Sequence, residues 1–96
     1  MNQYLLLIEN NATTPITPEQ WTAFFARASA SGYFRDGSEL GATQILGNTD
    51  TAHPIDFLAG YMRYDAENKE DLMASLAEHP VVANGGSVHL IEMPKT

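Results

Sequence analysis

The chain has 96 residues, no cysteine and a formal charge of -7, with 12 acidic side chains against 5 lysines and arginines. A chain of this length buries only about 60 to 65% of its unfolded surface, so we expect one small domain over residues 1–96. The acidic excess excludes the basic surface of a nucleic-acid binder and disfavours anionic membranes. The absence of cysteine excludes disulfides, thiolate catalysis and thiolate zinc sites.

The N-terminal region is typical of neither an exported nor a membrane protein. Its longest apolar run, Tyr4 to Ile8, has no Lys or Arg before it and is soon followed by Asn10 and Asn11. We therefore expect a cytoplasmic protein.

The first predicted element is a strand over residues 3 to 9 with apolar side chains on both faces. Tyr4, Leu6 and Ile8 alternate with Leu5 and Leu7, so each face needs to be covered.

A helix is predicted at about residues 18 to 31. Thr17 is a suitable cap, Pro18 fits the first helical position, Gln20 completes a capping box, and Gly32 is placed to end the helix. Apolar residues then recur at the spacing i, i+3, i+4 and i+7, which we interpret as a stripe facing the core: Trp21, Phe24, Phe25 and Ala28.

The segment from Tyr33 to Asn48 predicts either one bent strand or two short ones. Its β-prone patches, Tyr33-Phe34 and Thr43 to Leu46, are interrupted by a turn-like Asp36-Gly37-Ser38. After polar turn residues, Ile55 to Tyr64 predicts another strand with apolar groups on both faces.

A second helix is predicted to begin after Asn68 and to end at His79-Pro80, because the residue before a proline avoids the helical region. Its expected buried stripe is Leu72, Met73, Leu76 and Ala77. A turn at Asn84 to Gly86 then leads into a last strand over residues 87 to 93.

This order of elements, βαββαβ, predicts an α+β fold of the ferredoxin-like type, with a four-stranded antiparallel sheet and two helices on one face. The other face also carries apolar side chains, and an exposed Leu or Tyr there would forgo roughly 1.5 to 3 kcal/mol of burial. We therefore expect a homodimer that packs one open sheet face on another.

Five segments resemble the YCII-related family, also called the DGPF-domain family. They are Tyr4 to Ile8, Thr17-Pro18-Glu19, Gly32 to Leu40 with its Gly37, Gly60-Tyr61, and Gly85 to Val88. The resemblance covers nearly the whole chain, and it implies the same topology and a dimeric α+β barrel.

Two features of that family are absent from this chain. The expected Asp-Gly-Pro-Phe signature is replaced by Asp50 to Phe57, and no histidine precedes His53. One branch of the family carries a proposed catalytic histidine in the first helix, paired with an aspartate further on, and that pair cannot be carried over to this chain.

The candidate catalytic residues are His79, His53 and Asp50, because an imidazole oriented by a carboxylate can move a proton near neutral pH. For His53 the alternative is an exposed loop histidine. For His79 it is a cationic imidazole favoured by the dipole at a helix C-terminus. His89 is interpreted as an interface or core histidine.

Candidate ligand-binding residues are Arg35, as an anion clamp, with Asp36 and Glu39; the alternative for this segment is an ordinary polar turn. The three histidines match no short-range metal-ligand spacing, so neither a metal nor another cofactor is expected.

Two functions follow as hypotheses. The first is a non-catalytic or accessory dimeric module that binds a small molecule or a protein. The second is a small enzyme that uses histidine and carboxylate acid–base chemistry on a compact organic substrate in the cleft of the barrel.

Overall fold

The computed structural model describes residues 1–95 and contains four strands and three helices in this part of the chain. They are β1 (Asn2–Glu9), α1 (Pro18–Ser31), β2 (Phe34–Glu39), β3 (Leu58–Ala66), α2 (Lys69–Leu76), α3 (Pro80–Ala83) and β4 (Val88–Met93).

The strands form one open sheet in the order β2-β3-β1-β4, and every neighbouring pair is antiparallel. The α+β class and the antiparallel four-stranded sheet are thus confirmed, in an arrangement compatible with a ferredoxin-like fold. Tyr4 lies opposite Tyr64 and Leu6 opposite Met62, so the alternation along β1 and β3 directs matching side chains to the same face.

The core lies between one face of the sheet and the helices. Strand residues Tyr4, Leu6, Met62 and Tyr64 pack there in one buried cluster. The helices add Phe24, Leu72, Leu76 and Val81 to the same cluster. At roughly 1.5 to 3 kcal/mol for each large apolar side chain, this burial is the main force that holds the helices on the sheet.

The opposite face of the sheet, which we call the open face, carries no helix. Leu5 and Leu7 point to it from β1, next to Tyr61 of β3 and Ile91 of β4, which is 41% exposed. The molecule measures only 18 Å along its shortest axis, as expected for two layers. Of the two apolar sets of side chains on β1, the one that faces the helices is therefore buried, and the one on the open face is half-buried.

Helix α1 has the predicted bounds. Thr17 and Gln20 form the capping box, and Gly32 ends the helix with a φ of 78°. The predicted core stripe is only partly correct, because Phe24 is buried while Phe25 remains 43% exposed. The reason is that α1 lies over the sheet without closing against β2, and Phe25 faces the gap.

The segment of residues 40–57 is a long exposed loop, so the prediction of strand structure at Thr43 to Leu46 is wrong. Ile45 and Leu46 are 53% and 92% exposed. Strand β2 ends where Glu39 pairs with Gly60, and β3 extends only two residues further, to Leu58, so its last backbone partner for this segment is Ala59, which accepts from the N–H of Leu40. β-propensity without a partner strand does not make a strand.

The second predicted helix is divided in two. Helix α2 ends at Leu76, and α3 begins at Pro80 after the N-cap residue His79. Pro80 lacks an N–H and suits the first turn of a new helix better than the end of an old one. Met73, expected in the core, is 53% exposed. No helix within residues 1–95 has the length and apolar character needed to cross a membrane.

Candidate functional site

A cavity of about 740 Å³ lies between α1 and the helix-facing side of the sheet, and we call it the α1 cavity. Its wall consists mainly of apolar side chains, among them Ile8, Ile16, Trp21, Phe25, Phe34 and Met62. This volume is within the range of about 300 to 1,000 Å³ that is usual for small-molecule sites, which are also mostly apolar.

Three aromatic rings form one continuous side of the α1 cavity. Trp21 stacks on Phe25 with a centroid separation of 5.8 Å and an interplanar angle of 25°. Phe25 in turn lies 6.1 Å from Phe34 of β2. Because the middle ring, Phe25, is 43% exposed, this aromatic wall is open to solvent.

Two glycines lie on the sheet side of the cavity, where most residues would place a side chain. Gly60 belongs to β3 and Gly37 to β2. A Cβ on Gly37 would lie only 2.5 Å from the backbone oxygen of Tyr61, so the two strands approach too closely for any other residue. At these two positions the sheet side of the cavity is bare backbone, which leaves room above it.

Asn84 holds the loop that borders the cavity between β1 and α1. Its side-chain amide donates to the backbone oxygen of Pro15 at 2.9 Å, and its own backbone oxygen accepts from the N–H of Thr13 at 2.8 Å. The amide oxygen of Asn84 accepts from Gln20 in α1 at 2.8 Å. The turn before β4 and the start of α1 thus fix the loop from both sides.

One carboxylate at the cavity has no cationic partner. Glu39, at the end of β2, lines the cavity and forms no ion pair within residues 1–95. Glu9 is also a lining residue, but its carboxylate is bound to His89 on the opposite, open face of the sheet. No lysine or arginine is among the lining residues. The net charge at the cavity is therefore negative.

His79 is fully buried, with an exposed fraction of 0%. Its Nδ1 accepts from the N–H of Val81 at 3.1 Å, so in the neutral ring the proton is on Nε2, which has no partner among the described residues. The ring packs against Trp21 and Phe24, at 5.3 and 4.7 Å. Burial lowers the pKa of His79 to about 4, so the imidazole is neutral at pH 7.

The structure therefore places His79 differently from the C-terminal, cationic position considered from sequence. It caps the N-terminus of α3, where a protonated imidazole could not accept from Val81. Trp21 separates the His79 ring from the α1 cavity, because it lines the cavity and also contacts that ring. No carboxylate is hydrogen-bonded to this imidazole within residues 1–95.

His53 and Asp50 lie in the exposed loop of residues 40–57. The backbone N–H of Asp50 donates to the side chain of Asn48 at 2.9 Å, which is a local turn contact. Neither side chain forms a hydrogen bond or ion pair in the part of the chain that the structure describes. The loop does not bring them to His79 or to the α1 cavity.

Arg35 and Asp36 are both engaged in ion pairs on the open-face side of the sheet. Arg35 binds Asp65 at 2.9 Å, and Arg63 binds both carboxylate oxygens of Asp36 at 2.6 and 2.7 Å. The Arg63 guanidinium lowers the pKa of Asp36 below its usual range. Of the three residues predicted to bind a ligand, only Glu39 lines the cavity.

The single imidazole–carboxylate pair within residues 1–95 joins His89 and Glu9. His89 Nε2 donates to Glu9 Oε2 at 2.5 Å across β4 and β1. Both side chains point to the open face, since His89 lies opposite Leu7. This pair was not anticipated from sequence, because the two residues are 80 positions apart and only strand pairing aligns them.

A ligand cleft was expected from sequence, but its aromatic wall was interpreted as core because the wall has the same helical spacing as a core stripe. Trp21 and Phe25 satisfy the i, i+4 pattern whether they face core or cleft. The one available signal was Gly60, a glycine within an otherwise apolar strand pattern, which often marks a close backbone approach.

Comparison with models of known protein families gave no match, and comparison with curated proteins gave none either. The resemblance to the YCII-related family thus stays a prediction. Among residues 1–95, no three histidine or acidic side chains are grouped so that they could hold a metal ion.

Proposed function

We propose that this chain is a non-catalytic homodimeric module that binds a small apolar ligand in the α1 cavity. The observation that carries the proposal is the aromatic side of the cavity, Trp21, Phe25 and Phe34, which is open to solvent at Phe25. Exposure of large aromatic side chains to water is unfavourable, so an aromatic cleft of this size that is open to solvent favours an apolar ligand.

The positions of the histidines support binding over catalysis. None of the three is among the residues that line the cavity. His79, the closest by contact, is buried behind Trp21, and its lowered pKa makes it a weak base at neutral pH. A general base must come within hydrogen-bond reach of the proton that it removes.

A second copy of this chain is the proposed partner of the open face. Leu5, Leu7 and Tyr61 form a half-buried apolar strip there. The arginines beside the strip are neutralised by aspartates, Arg63 by Asp36 and Arg35 by Asp65, and Glu9 is hydrogen-bonded to His89. Two copies of an acidic chain can approach along such a face with little like-charge repulsion, unlike most of the surface.

The alternative is a small acid–base enzyme, and the His89–Glu9 pair is the observation that favours it. In a dimer packed through the open face, this pair would lie at the edge of the interface, where a cleft between copies could admit a compact substrate. If the protein converts a compact substrate, and His89→Gln abolishes that conversion without changing the mass of the dimer, the result would support this alternative.

The binding proposal is tested with Nile red, an uncharged dye whose emission rises in apolar surroundings. Phe25→Lys puts a charge on the aromatic wall, and we expect it to weaken dye binding by about tenfold. Met73→Lys is the matched control, because Met73 is also a half-exposed apolar helix residue but lies away from the cavity. Equal dye binding by both variants and the unchanged protein would refute the assignment of the α1 cavity.

A further inference from the structure

We infer that the ligand of the α1 cavity is an apolar organic amine, bound in its protonated form with its ammonium group at Glu39. This inference rests on the proposed function, since it names the chemical class of the occupant. It follows from the charge of the cavity and from the position of that charge relative to the aromatic wall.

The negative charge is placed where a ligand cation would be stabilised. Glu39 lies at the C-terminal end of β2, and Phe34 begins the same strand. Both line the cavity, together with Phe25. Phe34 and Glu39 are five residues apart along this strand, or roughly 16 Å, so a ligand whose hydrocarbon group lies against the rings needs an extended chain to place its ammonium in a hydrogen bond with Glu39. Charge-assisted hydrogen bonds of this kind are about twice as strong as neutral ones.

The chain's own lysines and arginines do not compete for Glu39. Four of the five are paired elsewhere: Arg27 with Glu78, Arg35 and Arg63 with aspartates of the sheet, and Lys69 with Glu92. The fifth, Lys95, follows β4 and is not among the residues that line the cavity. An unpaired carboxylate beside apolar surface favours an external cation and repels an anion. The same arrangement opposes carboxylate and phosphate ligands, because no basic group at the cavity would neutralise them.

The aromatic wall supports the same class of ligand. Aromatic side chains offer large apolar surfaces on which the hydrocarbon part of such an amine can pack. Trp21, Phe25 and Phe34 are connected by centroid distances of 5.8 and 6.1 Å, so one phenyl group can contact more than one of them. Apolar contact and charge then act on one small molecule.

Three ligands of equal length, each with a chain long enough to reach from the aromatic wall towards Glu39, test the inference: 8-phenyloctylamine, 8-phenyloctan-1-ol and 8-phenyloctanoate. They differ only in the terminal group, which is cationic, neutral or anionic at pH 7. Trp21 is the single tryptophan of the chain, so its emission on excitation at a wavelength that the phenyl group does not absorb reports the cavity directly. Titrations are run in buffer with physiological salt, which screens the general charge of the protein.

We expect the amine to bind about tenfold more tightly than the alcohol, and the carboxylate to bind least. Glu39→Gln should remove most of the advantage of the amine and leave the affinity for the alcohol within about twofold. Glu67→Gln is the matched control, since it removes one exposed negative charge that does not line the cavity. It should leave all three affinities unchanged.

The outcomes separate this inference from the proposed function. If the alcohol binds as tightly as the amine, or Glu67→Gln weakens the amine as much as Glu39→Gln does, the amine assignment is wrong while the apolar cavity stands. If none of the three ligands changes Trp21 emission and Nile red does not bind, the proposed function is wrong as well. Thermal unfolding of each variant checks that the fold is intact.

Discussion

The side-chain amides of Gln20 and Asn84 hydrogen-bond to each other twice, although 64 residues separate them. Gln20 donates from Nε2 to Asn84 Oδ1 at 2.8 Å, and Asn84 Nδ2 donates to Gln20 Oε1 at 3.2 Å. The same Gln20 closes the capping box of α1 with Thr17. One residue pair therefore ties the start of α1 to the turn before β4.

Asn84→Ala should destabilise the protein by about 2 kcal/mol, because it leaves Gln20 and the backbone oxygen of Pro15 without their partner. Urea unfolding followed by circular dichroism measures the change. Asn48→Ala is the control, since Asn48 makes only local contacts in an exposed loop and should change stability by less than about 0.5 kcal/mol. Equal effects of the two substitutions would contradict the structural role of Asn84.

Stability should fall as the pH is lowered from about 6.5 to about 4, because of His79. Its pKa is about 4 in the folded chain, against about 6.5 in the unfolded chain, so only the unfolded state gains this proton in that window. A difference of this size corresponds to roughly 3 kcal/mol at pH 4, and below that pH this group adds no further loss. Above about pH 7 it contributes no pH dependence.

The test is urea unfolding at several pH values between 4 and 7.5 for the unchanged protein and for His79→Gln. The variant cannot titrate at this position, so its stability should vary less with pH in this window. Asn48→Ala serves as the control, because it changes an exposed loop residue that carries no titratable group and should leave the pH dependence unchanged. A steeper loss in His79→Gln would show that other groups dominate.

Gly37→Ala should destabilise the sheet by about 1 to 3 kcal/mol, because the added Cβ meets the backbone oxygen of Tyr61 at 2.5 Å. A backbone atom cannot move aside without disturbing the pairing of β2 with β3. Gly41→Ala introduces the same methyl group with no atom within 4 Å and should leave stability nearly unchanged. Thermal unfolding compares the two, and a neutral Gly37→Ala would mean that the strands can separate at little cost.

The proposed homodimer predicts a solution mass of two 10.5 kDa chains by light scattering. Leu7→Glu places a charge in the apolar strip of the open face and should give a folded chain of half that mass, since a buried unpaired charge is strongly unfavourable. Met73→Glu puts the same charge on the helical side and should keep the dimer mass. A single-chain mass for the unchanged protein would refute the dimer.

The features of this chain that depend on residues close together in sequence, such as helix bounds and strand faces, were predictable from the sequence. Thr17, Gln20 and Gly32 determine the bounds of α1 because capping and the positive φ of a C-terminal glycine need only residues close in sequence. The alternation of Tyr4, Leu6 and Ile8 likewise predicted a strand with two apolar faces. The order of elements then limited the topology to a split βαβ arrangement.

Strand pairing, burial and ion pairing between residues far apart in sequence were determined only by the tertiary structure. Thr43 to Leu46 has strand propensity but no partner strand, and Phe25 follows the core spacing but faces a cavity. His79 is neutral because Trp21 and Phe24, which are distant from it in sequence, pack on its ring and exclude water. Within residues 1–95, Glu39 has no ion-pair partner because every arginine is bound to another carboxylate. Propensity and capping depend on a few neighbouring residues, whereas burial, pairing and charge at a site depend on which surfaces the whole fold brings together.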